Sequence, residues 1–170
     1  PGATAPSSDF GRTAIETLEY VRREMLDPAG GFYSSQDADS EGAEGKFFVW
    51  TPGEIIEVLG EEDGRIFNET YNVTADGNFE GKSIPNLEFG SGRPEAVSDE
   101  KFSAMRKKLF GAREQRIKPF RDEKILTAWN GLMLAAFAEA AAVFGNDEYL
   151  SIAVKNADFL LGSLVDERGR

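Results

Sequence analysis

Two short stretches of the sequence concentrate the side chains able to do chemistry. The first runs Gln36-Asp37-Ala38-Asp39-Ser40-Glu41 and continues to Glu44 and Lys46, with Phe32-Tyr33 before it and Phe47 to Trp50 after it. Asp37, Asp39, Glu41 and Gly42 fall on positions one, three, five and six of an EF-hand calcium loop. The twelfth position, which needs a bidentate Glu, is Phe48, so no metal site is assigned. The loop then has two readings: a solvated acidic turn, or a ligand-contacting loop whose carboxylates perform acid and base work on a sugar. The latter requires carboxylates separated by ~5 Å or ~6.5–9.5 Å across the substrate. Asp37 and Asp39, with Asp122, are the catalytic candidates, and Gln36, Glu41, Glu44 and Lys46 the accompanying binding candidates.

The second stretch is Asp122-Glu123-Lys124 followed by Thr127-Ala128-Trp129-Asn130-Gly131. An Asn inside an apolar helix is costly unless its amide is paired, and Gly131 lowers helix propensity by about 1 kcal/mol relative to Ala. Two departures from helix rules in one place mark either a ligand site or a packing site. In the packing reading, Asn130 bonds a neighbouring loop backbone and Gly131 lets another helix approach. In the ligand reading, Lys124, Trp129 and Asn130 contact substrate. Trp129 and Trp50 can each stack on a sugar ring, although a Trp at helical spacing is more often core.

The residue types also exclude chemistry. The 170 residues contain no Cys, hence no disulfide, thiolate nucleophile or CxxC pair, and no His, hence no Ser-His triad or HExxH zinc site. Lys and Arg total 19 against 30 Asp and Glu, a net charge of −11, which argues against nucleic acid and anionic membrane surfaces as partners. No apolar run approaches the ~20 residues of a membrane span, and PGATAPSSDF lacks the features of a signal peptide. The sequons at Asn68 and Asn72 then match by spelling only, and a cytoplasmic location is expected. Gly90-Ser91-Gly92 lacks the third glycine of a dinucleotide loop, and Arg106-Lys107-Lys108 reads as a solvated helix face; no cofactor is called for.

The elements that must position these residues are mostly helical. Residues 1–12 read as a disordered tail or cloning remnant, and 13–170 as one partial domain. A helix from Thr13, with Ile15, Leu18, Val21 and Met25 on one side, stops at Pro28 and Gly30. The aromatic pairs around the acidic loop suit short strands. Thr51-Pro52-Gly53-Glu54 spells a capping box for a helix carrying Ile55, Ile56, Val58 and Leu59, and a further helix covers Glu61 to Tyr71. Asp76-Gly77-Asn78 predicts a turn, Phe79 to Pro94 an extended loop, and Ser98 the start of another helix. From Ile125 to Phe144 a helix apolar nearly all round predicts burial on most sides. A last helix, about Asp147 to Leu164, turns Tyr149, Leu150, Ala153, Ala157, Leu160, Leu161 and Leu164 inward. The pattern predicts antiparallel helical hairpins in two layers with too few helices to enclose the inner one, so an excised section of a larger domain.

GGFYSSQDADSEGAEGKFFVWTPGEI and RDEKILTAWNGLML closely resemble the thioredoxin-domain-containing proteins related to spermatogenesis-associated protein 20. The resemblance runs from about Thr13 to the end. It implies an internal piece of a six-hairpin α/α toroid, similar to N-acylglucosamine 2-epimerases, cellobiose epimerases and six-hairpin glycosidases. A thioredoxin-like domain of the same parent chain is the implied partner. Asp37, Asp39, Glu41, Glu44, Lys46, Asp122, Lys124, Trp129 and Asn130 match the family's two motifs and are expected near a central funnel. Phe120 stands where many relatives have His and Glu123 where many have Asp, and the histidines that epimerases use as acid and base are absent. Sugar binding, or epimerase- or hydrolase-like activity of the parent, is the implied function. A non-catalytic scaffold presenting clients to the thioredoxin-like domain is the alternative.

Overall fold

Apolar side chains at three- and four-residue spacing dominate the sequence, and the computed structural model is accordingly mainly helical. It describes residues 9–88, 92, 94, 97–165 and 168. In chain order the elements are α1 (Asp9–Glu24), β1 (Ser35–Gln36), β2 (Asp39–Ser40), β3 (Ala43–Glu44), α2 (Pro52–Leu59), α3 (Glu61–Thr70), α4 (Asp99–Arg113), β4 (Arg121–Asp122), α5 (Thr127–Phe144) and α6 (Asp147–Ser163). They fall into two units: the chain up to Gln36 together with Arg121 onward, and Asp37–Phe120.

In the first unit α5 and α6 form an antiparallel hairpin. Gly145, at φ 61°, adopts the left-handed conformation that ends α5. Asn146 then caps α6 by accepting hydrogen bonds from the Glu148 and Tyr149 amides. The core joins Leu18 and Val21 of α1, Phe32 of the following loop, Phe137, Ala140 and Ala141 of α5, and Tyr149, Ile152 and Ala153 of α6. Phe32 stacks on Phe137 with ring centres 5.4 Å apart, and Tyr149 meets Phe137 edge-on at 5.6 Å. Burying such a ring contributes about 1.5–3 kcal/mol.

Three expectations are corrected here. Helix α1 begins at Asp9 rather than Thr13. Helix α5 is not buried on most sides: Trp129, Leu132 and Val143 are exposed, because α1, α6 and the Phe32 loop cover only the face carrying Asn130, Phe137, Ala140 and Ala141. Along α6, Leu150 and Leu161 face outward, while Ile152 and Asn156 take the inward places beside Tyr149 and Ala153. By length and composition alone α5 is also apolar enough to cross a bilayer, a weak signal that core helices give as well.

In the second unit the predicted capping box is present. Thr51 Oγ1 accepts from the Glu54 amide at 3.3 Å and Glu54 Oε2 from the Thr51 amide at 2.7 Å, with Pro52 opening α2. Gly64 lets α3 lie directly on α2, since a Cβ there would fall 2.8 Å from Ile56 Cα. The core gathers Trp50, Ile55, Leu59, Phe67, Tyr71, Val73, Phe102, Met105 and Leu109. The predicted turn at Gly77 has φ 67° and no room for a Cβ, which would sit 2.1 Å from the Lys82 carbonyl oxygen. The loop between Phe79 and Pro94 lies partly outside the described residues.

The strands differ from expectation. Phe32-Tyr33 and Phe47–Trp50 do not flank the acidic loop as paired strands. Their rings are anchored instead: Phe32 on Phe137, and Phe47, Val49 and Trp50 in buried positions. Phe32 and Trp50 pair at one residue each, antiparallel to Leu26 and Ser83, and the two-residue pairings fall to polar residues. Ser35 and Gln36 lie antiparallel to Asp122 and Arg121, and Asp39 and Ser40 to Glu44 and Ala43.

Tyr149 provides a test of the first unit's core. Its hydroxyl donates to Glu19 Oε1 at 3.0 Å, and burial, followed by that bond, pushes its pKa up to about 12 from 10.0. The neutral phenol is thus favoured by folding, and its stabilising contribution is full below pH 10 and lost as pH rises towards 12. Thermal melts of the chain should fall more steeply across that window than those of Tyr149→Phe; parallel curves would contradict the assignment.

Candidate functional site

The chemistry-bearing residues of the second motif belong to the first unit, and so does Gln36. Of these, Trp129 and Asn130 line a cavity of about 230 Å³ between the end of α1, the Phe32–Ser34 segment and the start of α5, and Gln36, Asp122 and Lys124 do not. Tyr20, Met25, Tyr33, Trp129, Asn130 and Met133 are among its walls. Trp129 is 55% exposed, so its indole is available at the surface rather than used as core. The Tyr20 hydroxyl donates to Gln36 Oε1 at 2.9 Å, which ties the α1 wall to β1. The Arg121 guanidinium lies 4.1 Å from the centre of the Tyr33 ring and donates to the Glu24 carbonyl at 2.8 Å. The Tyr33 hydroxyl donates to the Asp27 carboxylate. That bond holds the Asp27 carboxyl below its usual range and raises the Tyr33 phenol.

Asn130 is 1% exposed and its amide is fully committed. Oδ1 accepts from the Phe32 amide at 2.7 Å and from Asn156 Nδ2 at 3.0 Å. Nδ2 donates to the carbonyls of Phe32 at 2.9 Å and Leu126 at 3.0 Å. With both lone pairs and both protons used, no group remains to orient a ligand. Asn130 therefore shapes the pocket floor rather than contacting substrate, which corrects its place among the binding candidates. The packing reading holds for Asn130 but not for Gly131, beside which a Cβ would meet nothing within 4 Å.

Asp122 is likewise engaged. Oδ1 accepts from the Lys124 amide at 3.1 Å, and Oδ2 pairs with Lys124 Nζ at 3.0 Å. These contacts with Lys124 hold its carboxyl below the ordinary carboxylate range. An acid ionised at neutral pH has no proton to give, so Asp122 is unsuited to general-acid catalysis. Lys124 is exposed apart from that pair.

The acidic stretch belongs to the second unit and is a tight hairpin. Glu41 and Gly42, at φ 55° and 76°, make the two-residue turn in the left-handed region that right-twisted strands favour. Asp39 and Glu44 face each other across β2 and β3, Asp37 Oδ1 accepts from the Asp39 amide at 3.1 Å, and Lys46 Nζ pairs with Glu41 at 2.9 Å. Glu41 and Lys46 line a cavity of about 290 Å³ with Glu54, Lys82 and Arg116; Asp37, Asp39 and Glu44 do not. Among the described residues no group of three or more acidic side chains is placed to hold a metal ion.

Sequence reasoning missed two contributors. Asn156 is fully buried and donates to the Gly30 carbonyl at 2.8 Å as well as to Asn130. Its signal was a polar residue on the stripe formed by Tyr149, Ile152 and Ala153. Gly31 is the other: a Cβ there would fall 2.6 Å from Ile125 Cδ1 and 2.8 Å from the Phe159 ring. The turn can press against α5 and α6 only because that residue lacks a side chain.

The unit is thus a helical scaffold presenting an aromatic pocket over a sealed polar floor. No family model matches the chain. The chain is homologous to spermatogenesis-associated protein 20. It is 34% identical to the human protein, 32% to the mouse protein and 31% to the rat protein, in each case over 92% of this chain. It spans about a quarter of the length of these curated relatives, 24%.

Adjacent residues in α5 should respond oppositely to substitution. Asn130→Ala strands buried backbone groups of Phe32 and should lower unfolding free energy by more than about 2 kcal/mol. Gly131→Ala has room for its methyl and should raise it by up to about 1 kcal/mol. Urea unfolding measures both, and a neutral Asn130→Ala or a destabilising Gly131→Ala would contradict the geometry.

Proposed function

We propose that this chain is a segment of a longer protein of the spermatogenesis-associated protein 20 type, carrying hairpins of an α/α toroid attached to a thioredoxin-like domain. We also propose that the pocket beside Trp129 takes a sugar-like ligand. The observation that carries the ligand reading is the exposed indole of Trp129 at a cavity whose other walls include Tyr20 and Tyr33. Aromatic faces bind apolar ring surfaces while polar tips, here the Tyr20 and Tyr33 phenols, meet hydroxyls at the edge. The role is recognition rather than acid–base chemistry at this place. Asp122 is held ionised by Lys124, and the segment has no His. For epimerase- or hydrolase-like activity of the longer protein, Asp122 fits the part of a base and not that of the acid.

A second reading, a protein-binding scaffold for the thioredoxin-like domain, is favoured by a different observation. An apolar groove of about 540 Å³ runs between α1 and α5, lined by Phe10, Ala14, Leu18, Ala136 and Val143 among others. Leu132 of α5 and Leu150, Val154 and Leu161 of α6 are exposed as well. Such apolar surface is what neighbouring helices or a docked domain would cover.

Titration of the longer parent protein with mono- and disaccharides, followed by calorimetry, separates the two. Saturable binding that weakens at least tenfold in Trp129→Ala and stays unchanged in Asp39→Ala is the expected result. Absence of saturable binding, or equal affinity in Trp129→Ala, would remove the ligand reading and leave the scaffold.

A further inference from the structure

A further cavity, wholly within Asp37–Phe120, has a chemistry unlike the Trp129 pocket and is independent of it. Along α4, Arg106, Phe110 and Arg113 are spaced four and three residues apart and so share one helix face. That face and Trp50, Phe67 and Pro85 line a cavity of about 250 Å³. Two guanidinium groups border it and no carboxylate does, in a chain whose net charge is −11.

Each guanidinium is set against aromatic or phenolic groups. Arg106 Nη1 donates to the Tyr71 hydroxyl at 3.1 Å, and no carboxylate among the described residues pairs with Arg106. Arg113 lies 5.2 Å from the centre of the Phe47 ring and 5.3 Å from that of Phe110, with the Glu114 carboxylate 3.8 Å away. Both arginines are half-buried, so an anion entering the cavity meets partly desolvated cations, and the attraction weakens as salt is added. Guanidinium also matches a carboxylate with two parallel hydrogen bonds.

We propose that this cavity binds a small flat monoanion, an aromatic carboxylate, with its charge at Arg106 and its ring between Phe110 and Trp50. The volume lies below the ~300–1,000 Å³ of sites for drug-sized molecules, which limits the occupant to about one ring. The mainly apolar wall selects one charge rather than the several of a polyphosphate.

Benzoate and phenylacetate are suitable probes, titrated calorimetrically into the full chain at low salt, with benzyl alcohol and acetate as controls lacking the charge or the ring. Saturable binding of at least one aromatic carboxylate is expected, with both controls at least tenfold weaker and affinity falling as salt is added. Arg106→Gln should weaken binding at least tenfold, and Lys107→Gln should leave it unchanged. Should Arg106→Gln unfold through loss of the Tyr71 contact, Phe110→Ala at an exposed position takes its place and should weaken benzoate more than acetate. No saturable binding of either aromatic carboxylate, benzyl alcohol binding as tightly as benzoate, or unchanged affinity in the folded variants would overturn the proposal. None of these outcomes bears on saccharide binding at Trp129, so the two fail separately.

Discussion

One side chain holds the first unit's loop against its helices. Asn130 bonds both backbone polar groups of Phe32, so the loop after α1 is fixed to α5 as if by a strand pairing one residue long. Without that clamp the Phe32 amide and carbonyl would be buried unpaired, which costs about 1–3 kcal/mol for each group. With it, the Phe32 ring drops onto Phe137, and Tyr33 and Ser34 turn towards the cavity. Asn156 repeats the device one step upstream by holding the Gly30 carbonyl. The small residue at Gly31 permits the close approach that both bonds require.

The clamp sits at the start of α5, which divides that helix into two kinds of surface. Phe137, Ala140 and Ala141 continue the packed side towards α6, and Trp129, Leu132 and Val143 continue the open side. The pocket and the open apolar stripe are therefore two parts of one geometric fact: a helix apolar on both sides has neighbours on one. The ligand and scaffold readings draw on these two parts. The homology to spermatogenesis-associated protein 20 fits both, since the chain covers 24% of those proteins' length.

Elements governed by local rules were legible in the sequence. The Thr51 capping box, the Ser98 cap, the turn at Gly77 and the helical spacing of α1 all depend on residues within a few positions of each other. What depended on distant partners was not. Aromatic pairs beside the acidic loop read as strands, but Phe32 and Trp50 pair at single residues with Leu26 and Ser83, and the two-residue pairings fall to Ser35-Gln36 and the Glu41-Gly42 hairpin. The departure from helix rules at Asn130 was correctly read as a special position with two meanings. Choosing between them needed Phe32, which lies 98 residues away. The catalytic reading of Asp37, Asp39 and Asp122 rested on residue type. The structure engages Asp122 with Lys124 and one Asp37 oxygen with the Asp39 amide, contacts that residue type does not reveal.

The account stands on the Asn130 clamp, and hydrogen exchange at a single amide tests it most directly. Phe32 forms a one-residue antiparallel bridge with Leu26, but its hydrogen bonds run through the Asp27 and Tyr33 amides, so the Phe32 N–H is held by Asn130 Oδ1. In the native chain the Phe32 amide should exchange as slowly as the central amides of α5, through global unfolding. Exchange at the rate of an exposed loop amide, with α5 still protected, would show that the clamp does not hold and that the pocket built on it does not persist.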